Sequence, residues 1–378
     1  MEILYLFPEP LPLPRARGVQ VIHTVAALAR QGVRVLLAYV PAADGANPFA
    51  AYGLTPPPAV ELVPLSRGLP FPFTWLPARS NRLFFLRLRR WLKRRSAQGK
   101  PPQAIMVRHL KVAYALLQKF PGIPLLYEAH EVFAEVAPPH KREKLARIEE
   151  TVLRGARALV AITQGAADDL KKRYRLTGQV HVLHDAVSLP AQVPEKPWQE
   201  AGRHIIYAGS FFPWKGVQDL VAAAAELPGC RLTLIGGSRE STAGLQAAVA
   251  VGGAEVEFRG HIPHPQVMQA LGGACIAVLP NRPDPNSLWS SPLKLFEYMA
   301  CGCAIVAADL PSLHEVLGEN EAVWVRPGDP AALAAGIRSL ADNPEKARQL
   351  GNLMRERVKP YTWEERAKRL AEIMRSMI

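Results

Sequence analysis

The pattern of this chain predicts two parallel-sheet α/β domains joined by a short polar break. Three observations carry that prediction. Short apolar runs alternate with helix-period segments through both halves, as in sheets covered on both faces. A Pro-rich polar stretch at 188–203 interrupts the alternation, which restarts at 204. The chain has 378 residues, more than one ordinary core absorbs.

In the first half the strand candidates are 2–7, 33–39, 104–107, 124–127, 158–162 and 180–183. The helix candidates between them are 19–31, 82–95, 111–119, 141–154 and 165–174. Residues 54–77 hold many prolines and no clear period, and read as a surface excursion. After the break the strands are 204–208, 231–235, 256–259, 276–279, 304–307 and 322–325. The helices of this half are 216–227, 242–251, 265–271, 292–300, 331–340 and 345–358. A last amphipathic helix, 363–377, is expected to pack back toward the first domain. The expected organisation is a first domain 1–187, a linker 188–203, a second domain 204–360 and a terminal helix 361–378. Two such Rossmann-like domains facing each other leave a cleft, a favoured place for ligands.

Composition narrows the class. The hydrophobic fraction of 49% beside 21% charged residues is that of a folded soluble protein. No uncharged apolar run reaches the length of a membrane-spanning helix. Residues 1–7 show no basic lead and no cleavage site, and read as a first strand rather than a signal peptide. Cys230, Cys275, Cys301 and Cys303 lack C-x-x-C spacing, which points to reduced, buried thiols of a cytoplasmic protein rather than a zinc site.

The net charge of +13 is concentrated between Arg79 and Lys100. That segment carries Arg79, Arg82, Arg87, Arg89, Arg90, Lys93, Arg94, Arg95 and Lys100 and no acidic residue. Phe84, Phe85, Leu88, Trp91 and Leu92 share one side of the expected helix. A basic helix with an aromatic anchor suits an anionic membrane surface, placing the protein on the inner face of the membrane. Packing of the apolar stripe on its own domain is the ordinary alternative, and nucleic-acid phosphates are a weaker third.

The most informative stretch runs from Ser291 to Ala300. Ser291 suits an N-cap and Pro292 the first helical position. The amides of Leu293 and Lys294 then lack intrahelical acceptors and sit at the positive end of the helix dipole, a place that binds anions. Lys294 adds a formal charge, and Glu297, one turn on, could accept hydrogen bonds from a ribose. A merely capped helix with a solvated Glu297 would show the same residues.

Several segments together resemble the retaining glycosyltransferases of GT-B fold, in particular glycosyltransferase family 4. They are Tyr207-Ala208-Gly209-Ser210 with Trp214-Lys215-Gly216-Val217, Gly236-Gly237, Phe258-Arg259-Gly260-His261-Ile262 and Ala277-Val278-Leu279-Pro280. The Ser291-to-Ala300 block with Gly302, Glu315-Val316-Leu317, Val325-Arg326-Pro327-Gly328-Asp329 and Tyr361-Thr362-Trp363 complete the set. The resemblance implies a nucleotide-sugar donor, a UDP- or GDP-sugar held chiefly by the second domain without a required metal or other cofactor. It implies an acceptor, a saccharide or lipid-linked saccharide, on the first domain.

By the same resemblance Ser210 lies in the donor loop and Lys215 contacts the diphosphate, offsetting charge on the leaving group. Leu293 and Lys294 offer amides to phosphate or sugar oxygens, Ser291 precedes them, and Glu297 matches the second glutamate of the family's Glu-x7-Glu motif. In the first domain Gly18 resembles the glycine loop facing the donor. His130, in Tyr127-Glu128-Ala129-His130-Glu131, resembles a histidine near the reacting sugar. Arg108, at the end of a strand, could bind an acceptor phosphate or pair with a carboxylate. Leu183-His184-Asp185-Ala186-Val187 reads as hinge structure. Two departures stand out: Trp289 occupies the position of the first glutamate, and no arginine precedes Lys215-Gly216, a charge Lys294 could supply.

Transfer of a sugar with retained anomeric configuration, in cell-surface glycan or glycolipid synthesis, is the expected activity. A non-catalytic sugar-nucleotide-binding protein and a sugar-nucleotide epimerase of the same fold remain alternatives. Nucleic acid is not an expected partner.

Overall fold

The computed structural model describes the chain except residues 14, 69–80, 193–194, 197, 199–202, 285–286, 288 and 290. Arg79 and part of the stretches read as an excursion and a linker thus lie outside the described residues. The chain divides into two units. The first comprises Met1–Ile162, Ala166–His184 and Trp363–Ile378, the second Thr163–Gly165 and Asp185–Thr362.

The first unit is built on a seven-stranded sheet of order β3-β2-β1-β4-β5-β6-β7. The strands are β1 Glu2–Leu11, β2 Arg34–Pro41, β3 Val60–Pro64, β4 Ala104–Val107, β5 Leu125–Ala129, β6 Ala158–Ala161 and β7 Val180–Val182. Every neighbouring pair is parallel. The order reverses beside β1, so the connections leaving β1 and β4 diverge and a ligand has room at their carboxyl ends. Strand β3 corrects the expectation of an unstructured excursion. Its four residues before Pro64 pair with β2 alone, and a proline ending an edge strand removes no ladder bond.

The second unit repeats the plan with a six-stranded sheet of order β10-β9-β8-β11-β12-β13. Its strands are β8 His204–Ala208, β9 Arg231–Ile235, β10 Glu255–Gly260, β11 Ile276–Leu279, β12 Ala304–Ala308 and β13 Val323–Val325. All five pairings are parallel, and the reversal falls between β8 and β11. Side chains of β11 alternate between two cores: Ile276 and Val278 pack on one face, Ala277 and Leu279 on the other.

The helix Trp363–Met377 belongs to the first unit, as its amphipathic pattern predicts. Trp363 is buried and its indole stacks on His23 of the helix Ala16–Arg30, ring centroids 5.6 Å apart. Ala367, Leu370, Ala371 and Met374 continue the buried stripe. The stretch 188–203 is less of a linker than its prolines imply. Trp198 joins a core of the second unit, and buried Lys196 caps a helix end by donating to the carbonyls of Leu271 (3.0 Å) and Ala274.

One glycine at a strand end is obligatory. Gly236 has φ +113°, and a Cβ there would lie 2.0 Å from the Gly209 carbonyl oxygen. Gly236→Ala is therefore expected to lower stability by about 1–3 kcal/mol from backbone strain alone, with more added by the collision. Denaturant unfolding measures it, and a change below about 0.5 kcal/mol would show that the turn relaxes freely.

Candidate functional site

In the second unit the carboxyl end of β8 opens into the loop that carries Ser210 and Lys215. Tyr207 closes the loop by donating its hydroxyl to the Ser210 carbonyl at 2.8 Å. A 3₁₀ turn, Pro213–Lys215, follows and ends at Gly216, whose φ of +67° lets the chain enter the helix Val217–Ala224. Any Cβ at Gly216 would lie 1.8 Å from the Pro280 oxygen at the end of β11. The turn is also pinned from its far side. Arg282 donates its amide to the Trp214 carbonyl at 2.9 Å, and its guanidinium to buried Asp219, Nε to Oδ2 at 2.7 Å. Phe212 and Trp214 stack with centroids 4.6 Å apart.

The helix Leu293–Ala300 begins one residue later than expected. Pro292, with ψ 107°, stands at the cap position, and Leu293 is the first helical residue. Ser291 is not the cap. Its hydroxyl accepts the Asp185 amide at 2.9 Å, which fixes the chain before the helix instead of its first turn. The first amides of the helix are left without intrahelical acceptors, as at any helix start.

Lys294 is the unusual residue. It is 8% exposed, and its Nζ is buried without a hydrogen-bond partner. The Nζ lies 3.9 Å from the centroid of the Tyr207 ring, a cation–π contact. Burial holds its pKa well below the ordinary lysine value; nearby Lys215 adds repulsion, and Glu297 opposes the shift. Lys215, half-buried, is also lowered by burial.

Glu297 is buried and not simply solvated. Its Oε1 lies 2.7 Å from His264 Nε2. Burial works against a charged His264, but the Glu297 hydrogen bond and charge outweigh it and raise the imidazole above its usual range. Sequence reasoning missed His264, because a histidine between two prolines at a helix start carries no periodic signal. Trp289, at the position of the family's first glutamate, is buried.

In the first unit Arg108 follows β4 and His130 follows β5, both at carboxyl strand ends. Arg108 donates to the Gln20 amide oxygen, and Gln20 Nε2 lies 3.4 Å from His130 Nε2. His130 Nε2 is 2.9 Å from Glu128 Oε2, and the other Glu128 oxygen accepts from Arg366. Burial and the Arg108 charge push His130 down to about 4, against the pull of Glu128. Burial alone would raise Glu128, yet Arg366, His130 and Arg108 together hold it well below the usual carboxylate range. Gly18 serves local packing: a Cβ there would lie 2.3 Å from the Tyr52 hydroxyl, which donates to the Leu13 carbonyl at 2.7 Å.

The basic helix spans Asn81–Ala97. Its apolar stripe is used by its own unit: Phe84, Leu88 and Leu92 are 0% exposed. Trp91 is half-buried with Arg95 5.2 Å from its ring centroid, and Arg95 pairs with Glu2, so neither is a free anchor. Arg87 donates to the Ser66 and Gly68 carbonyls. Arg82, Arg90, Lys93 and Arg94 stay exposed, and Arg89 half-buried. The stripe of Phe84, Leu88 and Leu92 is thereby not available to lipid. Among the described residues no helix is long and apolar enough to cross a membrane.

Comparison with known proteins agrees with this architecture. The family model described as Glycosyltransferase Family 4 matches residues 18–189, and that described as Glycosyl transferases group 1 matches 190–357. The alpha-maltose-1-phosphate synthase of Mycolicibacterium smegmatis is 27% identical over 293 residues, 68% of this chain and 74% of that protein. Sucrose-phosphate synthase from Thermosynechococcus elongatus superposes with a TM-score of 0.79 at 22% identity, over 100% of this chain and 99% of that one. HepE from Anabaena, in complex with UDP-glucose, does so with a TM-score of 0.73 at 18% identity, over 100% of each. The two family matches lie end to end across nearly the whole sequence, and the chain belongs to the GT-B glycosyltransferases of group 1 and family 4.

Proposed function

We propose that this glycosyltransferase moves a sugar from a nucleoside-diphosphate sugar to a saccharide or lipid-linked saccharide with retained anomeric configuration. The observation that carries the reading is Lys294, a buried amine with no hydrogen-bond partner among the described residues, set at the open amino end of a helix and beside Lys215. A diphosphate is the ligand such a place lacks, because it brings two charges and accepts from both ammonium groups and the helix amides. UDP-glucose, which the Anabaena neighbour binds, is the first donor to try. In this reading lysines rather than a metal carry the positive charge, and Glu297, steadied by His264, accepts from the ribose.

Mechanistically, Lys215, Lys294 and the helix amides stabilise the diphosphate as the glycosidic bond breaks, an interaction that strengthens as charge builds on the leaving oxygen. The acceptor hydroxyl attacks from the side the leaving group departs, and the departing phosphate oxygen takes its proton. No carboxylate is assigned as a covalent nucleophile. Retention is read by NMR of the product anomer; an inverted product refutes it.

Lys294→Met tests the anion site. The variant removes a buried uncompensated amine, so the ligand-free protein is expected to gain about 1 kcal/mol or more of stability, while the thermal shift given by UDP falls sharply. An unchanged UDP shift would rule the site out. The pH dependence has a definite sign. Between the lowered folded pKa of Lys294 and the ordinary lysine value, the unfolded chain binds more protons, so stability without ligand falls as pH drops through that interval. Lys294→Met is expected to flatten that part of the wild-type curve.

The acceptor side rests on charge. Arg90, Lys93 and Arg94 project from the basic helix and suit a phosphate-bearing membrane surface, at about 1 kcal/mol per residue. Neutralising these three is expected to abolish sedimentation with phosphatidylglycerol vesicles at low salt, and binding should also fall with added salt. Vesicle binding indifferent to both would end the membrane reading.

A further inference from the structure

Two side chains of the first unit converge on one carboxylate. Glu128, the fourth residue of β5, is 0% exposed. One of its oxygens accepts from Arg366 of the terminal helix, and the other faces His130 Nε2 at 2.9 Å. Arg366 is itself buried and donates Nε to the His184 carbonyl at 2.9 Å. A guanidinium keeps its protons, so Glu128 opposite it stays ionised and can only accept. The hydrogen between Glu128 and His130 is therefore the imidazole's own, on Nε2. Gln20 does not compete: its amide nitrogen is farther, at 3.4 Å, and its oxygen is taken by Arg108. A neutral imidazole bears one N–H, so Nδ1 keeps its lone pair, and it has no hydrogen-bond partner among the described residues.

We propose that Glu128 and Arg366 are positioning residues that lock His130 into the neutral Nε2–H tautomer, so that Nδ1 accepts a hydrogen bond from a hydroxyl of the bound sugar. The proposal rests on the reading of His130 as a sugar contact. In this role His130 receives the hydrogen and delivers no proton to the leaving group. The charged groups acting on the ring are Arg108 after β4, Arg366 on the terminal helix and Glu128 on β5. The two guanidiniums, with burial, disfavour a second proton.

The tautomer is measured directly by long-range 15N–1H NMR of the full chain labelled at histidine. His130 is expected as Nε2–H, uncharged, from pH 6 to 8. An Nδ1–H signal or an imidazolium in that range overturns the proposal, whether or not the protein turns over a donor. Kinetics supply the second arm. Glu128→Gln keeps the volume but offers an amide in place of an obligate acceptor. It is expected to mix the tautomers and cut kcat about 10- to 100-fold, with the KM for donor changed less than about twofold. Arg366→Lys keeps the charge and is expected to restore most activity and the wild-type pH profile. Arg366→Ala removes a charge that opposes the imidazolium, so the acid limb of the profile should move to higher pH; thermal melts report whether this variant folds, and the other two decide the question if it does not. Equal losses in Glu128→Gln and Arg366→Lys, with the tautomer and the acid limb unmoved, would reduce both residues to structural supports. Absence of transfer by a wild-type protein that shows the Nε2–H tautomer would instead defeat the sugar-contact reading and leave the tautomer standing.

Discussion

The reversal of strand order beside the first strand of each sheet is the constraint on which the rest depends. Crossovers in parallel sheets are right-handed, so helices leaving β1 and β4, or β8 and β11, go to opposite faces and leave the carboxyl ends of those strands uncovered. Arg108 follows β4 in the first unit, and the Lys215 loop follows β8 in the second. Gly216 can approach the Pro280 oxygen at the end of β11 only because both segments emerge at this reversal. The glycines at 216 and 236 stand where backbones come closer than a side chain allows, and that at 216 lies at the reversal itself.

A buried ion pair and a buried lysine show opposite uses of low dielectric. Glu128 and Arg366 compensate each other, and the cost of removing one partner from such a pair is about 3–5 kcal/mol. Their pairing also ties the terminal helix to β5, so the end of the chain helps shape the first unit's site. Lys294 has no such partner. Its cation–π contact with Tyr207 offsets only part of the desolvation of an ammonium, and Glu297, one turn away, is engaged by His264. In the proposed function a bound diphosphate offsets that cost.

The fold was legible because it rests on period and punctuation. The apolar runs of β4, β11 and β12, and the amphipathic terminal helix, are visible as patterns. Strand β3 was hidden by the prolines around it. The helix Arg239–Ala247 begins earlier than 242 because Ser238 and Ser241 cap each other reciprocally, a short-range bond that periodicity does not register. The roles of Lys215, Lys294 and Glu297 could be suspected from the capped-helix motif and the family resemblance. Arg366, Gln20 and His264 could not, because each acts through a partner far away in sequence. For the basic helix the pattern itself misled: one amphipathic stripe serves equally for lipid or for the helix's own unit, and only burial of Phe84, Leu88 and Leu92 tells them apart.

Trp289 bears on the chemistry of the proposed donor site. A carboxylate at that position would accept from sugar hydroxyls, whereas an indole offers one N–H and an apolar face. Discrimination among donor sugars must then come from other groups. Glu297 is committed in part to His264, which orients it and limits how many hydroxyls it can accept. Under that proposal the Lys215 and Lys294 ammonium groups recognise charge and are indifferent to sugar stereochemistry. It follows that the second unit alone is better equipped to select a diphosphate than a particular sugar.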